Sequence, residues 1–185
     1  MNPRDILRQI ILPLKTIDSN LPKKGKIFDL GCGEGIIAKY LAKVPSRSVI
    51  GVDTNKDRLP TDKKSNLRFI TADIRKFKFQ KADGIILSDV LHHLNTRDQM
   101  KLIKKVATNL KKRGVLVIKE IDSTEYPRGR LSRIWDFLLY PQDKIYYWSA
   151  TDLKNFLKQN NFSVKIIRAS RFFPGSTTLF VCKKL

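Results

Sequence analysis

Cysteine is scarce in this 185-residue chain: only Cys32 and Cys182 occur, far apart and each beside an apolar run. Two isolated thiols make no disulfide scaffold, and no spaced Cys/His cluster is present to hold zinc, so no metal is expected. Long apolar runs are missing too, and none approaches the roughly 20 residues that cross a bilayer. A signal peptide is not expected, because Pro13 and Lys15 interrupt the first apolar stretch and no small-residue cleavage site follows. The expectation is a cytoplasmic protein, with peripheral contact at an anionic membrane as a variant of it. Acids are few: 17 Asp and Glu stand against 37 Lys and Arg, a net charge of +20. Such an imbalance favours an anionic partner, whether nucleic acid, phospholipid headgroups or a phosphorylated metabolite. A Lys-rich composition inherited from an AT-rich genome gives the same numbers.

What is present suffices for one core. At 42% hydrophobic residues, 185 residues make a single domain spanning 1–185 and leave no room for two ordinary cores. Asn2 as cap, Pro3 at the first helical position and Asp5 in the first turn open a helix that Pro13 ends. Residues 1–24 therefore read as an N-terminal helix and a connector through Asp18-Ser19-Asn20 and Leu21 to Gly25. Strands follow at Lys26 to Leu30, Ser48 to Asp53, Leu67 to Thr71, Gly84 to Ser88 and Val115 to Ile121. Helices are expected at Ile36 to Val44, then from Asn95, with Met100, Ile103, Val106, Ala107 and Leu110 as the apolar stripe. That second helix should end at Lys111-Lys112-Arg113-Gly114. A last helix, opened by Ser149 and Asp152, precedes two strands, Ser163 to Arg168 and Thr177 to Cys182. Near-continuous apolar strands alternating with helices imply an α/β fold with a doubly wound, mostly parallel sheet. The final two strands lie too close for a crossover and should form an antiparallel hairpin, giving seven strands in all.

The turn after the first strand is Asp29-Leu30-Gly31-Cys32-Gly33-Glu34-Gly35. Its glycines allow a tight turn and close approach to a ligand at the carboxyl end of the sheet. A dinucleotide loop would have a glycine where Ile36 stands, and no Gly-Lys-Ser/Thr of a phosphate-binding loop follows. A carboxylate at Asp29 would repel a pyrophosphate and suit a cationic ligand.

On these residues the chain resembles the class I S-adenosylmethionine-dependent methyltransferases, of the small-molecule type, over essentially its whole length. Phe28 to Gly35 is similar to the family's main cofactor loop, with Asp29, Gly31, Cys32, Gly33 and Gly35 matching. Asp53, followed by Thr54, resembles the acid that holds the ribose hydroxyls. Thr71-Ala72-Asp73-Ile74 resembles the adenine-holding segment. Leu87-Ser88-Asp89-Val90-Leu91-His92-His93-Leu94 is similar to a segment of members that methylate small molecules. The resemblance implies a Rossmann-like methyltransferase fold and S-adenosylmethionine as cofactor, with S-adenosylhomocysteine as product.

With the methyl group already electrophilic, the protein has to supply alignment, desolvation and, for an oxygen or cationic nitrogen acceptor, a base. Candidate bases are Asp89, His92 and Glu120, with His93 and Asp122 beside the substrate. Both tryptophans and four of the five tyrosines fall between Tyr126 and Trp148, so 123–148 reads as a substrate lid. Arg128, Arg130 and Arg133 there would grip a phosphate or carboxylate, with Trp135 and Tyr146 as aromatic contacts. A basic amphipathic helix on an anionic membrane fits the same residues. The acceptor is thus expected to be an anionic small molecule or lipid. RNA is the alternative acceptor, and a cofactor-binding protein without catalysis the third reading.

Overall fold

A computed structural model describes residues 12–61, 64–121, 145–168 and 178–185. In chain order the elements are α1 (Leu14–Asn20), β1 (Gly25–Leu30), α2 (Ile36–Leu41), β2 (Arg47–Asp53), β3 (Leu67–Thr71), β4 (Ala82–Ser88), α3 (Thr96–Asn109), β5 (Leu110–Glu120), α4 (Ala150–Gln159), β6 (Phe162–Arg168) and β7 (Thr178–Lys184). Single 3-10 turns lie at Lys56–Arg58 and Leu91–His93. The sheet order is β3-β2-β1-β4-β5-β7-β6. The first five strands are parallel, whereas β7 runs antiparallel between β5 and β6. The expected α/β sheet and C-terminal hairpin are both present. The order in which strands are added reverses between β1 and β4, which run parallel, and that switch point opens a crevice at the carboxyl ends of the strands.

Alternation along each strand builds the two faces. Phe28 and Leu30, Ile85 and Leu87, Leu116 and Ile118, and Phe180 and Cys182 share one face with Leu102, Ile103 and Val106 of α3 and Leu153 and Leu157 of α4. Ile27, Ile86, Val117 and Leu179 point the other way, onto Ile17 of α1 and Ile37, Ala38 and Leu41 of α2. Each fully buried Leu or Ile contributes about 1.5–3 kcal/mol. With only 7 and 6 residues, α1 and α2 are too short to be stable alone, and this packing holds them helical.

Several boundaries differ from the sequence reading. The connector carries a helix, α1, directly after Pro13: Ile17 N–H donates to the Pro13 carbonyl, and Ile17 is fully buried. The buried Arg47 guanidinium ties that helix to the start of β2 through Asp18 and the Pro22 carbonyl. Helix α3 begins as expected, with the Asn95 side chain accepting from Asp98 N–H. It ends at Asn109, however, and Lys111, Lys112 and Arg113 belong to a bulged start of β5 opposite Ala82 and Gly84. Its buried stripe is Gln99, Leu102, Ile103 and Val106, so Met100 lies off it. The helix expected from Asn2, and Asp122, Arg128, Arg130, Arg133 and Trp135 of the lid, lie outside the described residues. No described helix is long and apolar enough to cross a membrane.

Candidate active site

The carboxyl ends of β1 to β4 surround a cleft of about 650 Å³, within the usual range for a small-molecule site. Gly31, Cys32 and Gly33 form its β1 wall. At Gly31 φ is +79°, and an added Cβ would lie 2.3 Å from a Val90 methyl carbon, so glycine is required there. Gly35, at φ +69°, starts α2 against Phe69 and is not among the cleft-lining residues, so it shapes the loop. The Cys32 thiol is pushed up by burial and by the Asp29 and Asp53 carboxylates beside it, which suits a space-filling side chain and no nucleophile.

Three acids give the cleft its sign. Asp29 is 1% exposed beneath the loop, where its carboxylate accepts from Ala38 N–H at 3.1 Å. Burial, with a smaller push from Asp53, raises it to about 7. Asp53, at the end of β2, accepts from Gly33 N–H at 2.8 Å and from Asn55 N–H at 2.9 Å. The resemblance gives Asp53 the ribose hydroxyls as partners; in the structure the carboxylate also holds the glycine loop closed against β2. Asp73 accepts from the Arg75 backbone and guanidinium, and Arg75 holds its carboxyl below the usual range. Thr54 and Ile74 complete this side.

The end of β4 supplies the other wall. Ser88, Asp89, His92 and His93 all line the cleft. Asp89 has left-handed backbone, φ +54°. Both its carboxylate oxygens lie 2.6 Å from Lys119 Nζ. Burial alone would raise Asp89, but the Lys119 ammonium outweighs it and holds the acid low, which makes Asp89 a poor base. His92 is different. Its Nδ1 lies 2.6 Å from Glu120 Oε2, and the two side chains are 3% and 8% exposed. Glu120 Oε1 accepts from Val90 and Leu91 N–H at 3.2 and 2.8 Å. Glu120 therefore sits behind the histidine, outside the cleft lining, and fixes both the turn and the ring. The His93 ring lies 4.3 Å from that of His92.

Tyr146, expected at the substrate, lines instead a small pocket behind the dyad with Trp148, and its N–H donates to the His92 carbonyl. Missed by sequence reasoning were Arg58 with its ion-pair partner Glu34, Arg75, Lys119, Gln99 and Tyr147. Gln99, fully buried, donates to the Leu94 and Tyr146 carbonyls at 2.7 and 2.8 Å and accepts from the Trp148 indole. Tyr147 stacks on His92 at 5.7 Å. A polar residue interrupting an apolar helix stripe was the one available signal for Gln99. The cleft lining thus holds Asp29, Glu34, Asp53, Asp73 and Asp89 against Arg58 and Arg75, although the chain as a whole carries +20. A buried acid at about 7, with a second carboxylate and, among the described residues, no cation acting on it, fits a ligand carrying positive charge such as S-adenosylmethionine.

A family model described as a methyltransferase domain matches residues 4–165. A carboxy-S-adenosyl-L-methionine synthase from Campylobacter fetus is 30% identical over 111 residues, covering 56% of this chain and 47% of that protein. A ubiquinone biosynthesis O-methyltransferase from Pelagibacter ubique is 25% identical over 189 residues, covering 91% of this chain and 75% of that protein. The match to the first relative thus spans about half of that protein's length. In fold, a SAM-dependent methyltransferase from Archaeoglobus fulgidus is similar at TM-score 0.76 and 17% identity, over 99% of this chain and 95% of that one.

Proposed function

The chain belongs to the methyltransferase-domain family, and on that premise we propose that it transfers a methyl group from S-adenosylmethionine to an oxygen atom of a small molecule, with His92 as general base. The observation that carries this reading is the buried contact between His92 Nδ1 and Glu120 Oε2 at 2.6 Å, on the wall of an acid-lined cleft. A relative that aligns over 91% of the chain is named as an O-methyltransferase, which favours oxygen.

When bound, the cofactor supplies a methyl group made electrophilic by its sulfonium. Asp53 and Asp73, with Thr54 and Ile74, would hold its nucleoside, and charge-assisted bonds to a carboxylate contribute about 1.5–3 kcal/mol each. Gly31 and Gly33 bring backbone close to it. Asp29, beneath the loop, favours positive charge above it. Glu120 accepts a hydrogen bond from His92 Nδ1–H, which sets the tautomer, so a proton taken from the acceptor hydroxyl goes to Nε2. Positive charge then formed on the imidazole is stabilised by the Glu120 carboxylate. Lys119 keeps Asp89 ionised, and Asp89 in turn adds a second negative charge beside His92.

Methyl-labelled S-adenosylmethionine incubated with the protein and a cell extract tests this. Label is expected in the small-molecule fraction and to fall by about 10²-fold or more with His92→Ala. Label confined to RNA or lipid, or unchanged by His92→Ala, would contradict it.

A further inference from the structure

The cleft occupies one end of the sheet, and the opposite end carries the opposite charge. There, at the starts of the parallel strands and the end of β7, Lys64 precedes β3, Lys43 precedes β2, Lys23 and Lys24 precede β1, Lys81 precedes β4, Lys111, Lys112 and Arg113 open β5, and Lys183 closes β7. Since the sheet order is β3-β2-β1-β4-β5-β7, these cations follow one another in space. Five gaps of about 4.8 Å make a row of about 24 Å. All nine residues named are exposed.

Among the described residues, the acids at this end are Asp18 and Asp83, and both are engaged, with Lys23 and Arg47 and with Lys111. Lys24, Lys112, Arg113 and Lys183 are exposed and make no ion pair among the described residues. The helix-terminal role that the sequence suggests for Lys112 and Arg113 is filled by others. Lys184 donates to the Ala107 and Leu110 carbonyls and Lys81 to that of Thr108. The cations crowd one another: burial and then the neighbouring Lys81 push the Lys184 ammonium down, which an anion on the row would relieve.

We propose that this row is a docking surface for the phosphate backbone of single-stranded nucleic acid, held away from the cleft as a tether and not as a methyl acceptor. Two arguments favour a strand over a membrane. The usual twist of about 20–25° per strand would turn a row of six strands through roughly 100° or more, a curve that a flexible chain can track and a flat bilayer cannot. The row also lacks an apolar face: among the described residues its one large exposed hydrophobic is Leu185, a single side chain beyond Lys183 at the β7 end, and the other, Tyr146, lies at the cleft end. The acid-lined cleft, at the far end, repels a polyphosphate chain.

Two variants of equal net charge provide the test, with a labelled 20-nucleotide oligouridylate as probe. Replacing Lys112, Arg113 and Lys183 together by Gln should weaken binding about tenfold or more at 0.1 M salt and reduce the log-log salt slope by about 2. Replacing Arg97, Lys101 and Lys154, off the row, should change both far less. S-adenosylmethionine affinity should be the same in both variants. Equal losses in the two would show that net charge alone binds, and no binding by the parent at low salt would overturn the proposal outright. So would selective loss on vesicles containing phosphatidylserine without loss on the oligonucleotide, which would make the row a membrane surface.

Discussion

At the scale of single residues, the site depends on three carboxylates with different partners. Asp29 is buried and is raised to about 7 by that burial, with a smaller push from Asp53. A raised folded-state value favours the folded protein fully only below the ordinary range near 3.8, and that contribution is lost as pH rises through about 7. Asp29→Asn keeps an oxygen for Ala38 N–H and removes the buried charge. It should therefore raise the melting temperature of the free protein at pH 8 while weakening S-adenosylmethionine binding. A cationic ligand should also lower Asp29 and release protons, so binding heats at pH 6.5 should vary with the ionisation enthalpy of the buffer. In Asp29→Asn that variation should vanish; if it persists, another group is the source. Asp53 has two backbone donors besides any ligand. Asp53→Ala should consequently cost about 1–2 kcal/mol of stability as well as cofactor affinity, whereas Asp53→Asn should recover part of the stability. Chemical denaturation beside ligand titration separates the two effects. Glu120→Gln keeps an acceptor for Val90 and Leu91 N–H but loses the charge facing His92. Stability near the parent's with much reduced turnover is the expected result, and unimpaired turnover would leave Glu120 as scaffold only.

At the scale of elements, the turn at Leu91–His93 is clamped from two sides, by Glu120 of β5 and by Gln99 of α3. Gln99 also fastens residues 146 and 148, and between them Tyr147 stacks on His92. Gln99→Leu would leave two part-buried carbonyls and an indole N–H without this partner, at about 1–3 kcal/mol. Hydrogen exchange should accelerate at residues 145–148 and 91–94, with the strands of the sheet little changed. Exchange raised uniformly would mean global destabilisation and no local clamp. The strands were legible in the sequence because apolar runs with β-branched residues mark them well; β3 falls at Leu67–Thr71 as read. The helix after Pro13 was not, since its single buried apolar residue, Ile17, shows no periodicity. The end of α3 was misplaced because Lys111 to Gly114 satisfies helix-stop chemistry as well as it satisfies a strand bulge. Of the site, the glycine loop and the residues ending β2, β3 and β4 were readable as contiguous segments. The Lys119–Asp89 and Gln99–Trp148 pairs join residues 30 and 49 positions apart, and no local pattern encodes such contacts.

At the scale of the molecule, charge is divided between the two ends of the sheet. Acids gather at the carboxyl ends of the strands, where the glycine loop and the His92–Glu120 pair lie, and cations gather where the strands begin. Composition gave only the sum of the two, +20, which pointed to an anionic partner without placing it. Asp29 in the glycine loop already suited a cationic ligand in the cleft, and the geometry there fits one. Calorimetric titration of the protein with S-adenosylmethionine and with S-adenosylhomocysteine is the most direct test. One molecule of either should bind per chain, with a stabilisation near 2.7 kcal/mol at a hundredfold excess over the dissociation constant. No heat and no thermal shift with either ligand, while a dinucleotide such as NAD does bind, would contradict the assignment of the cleft.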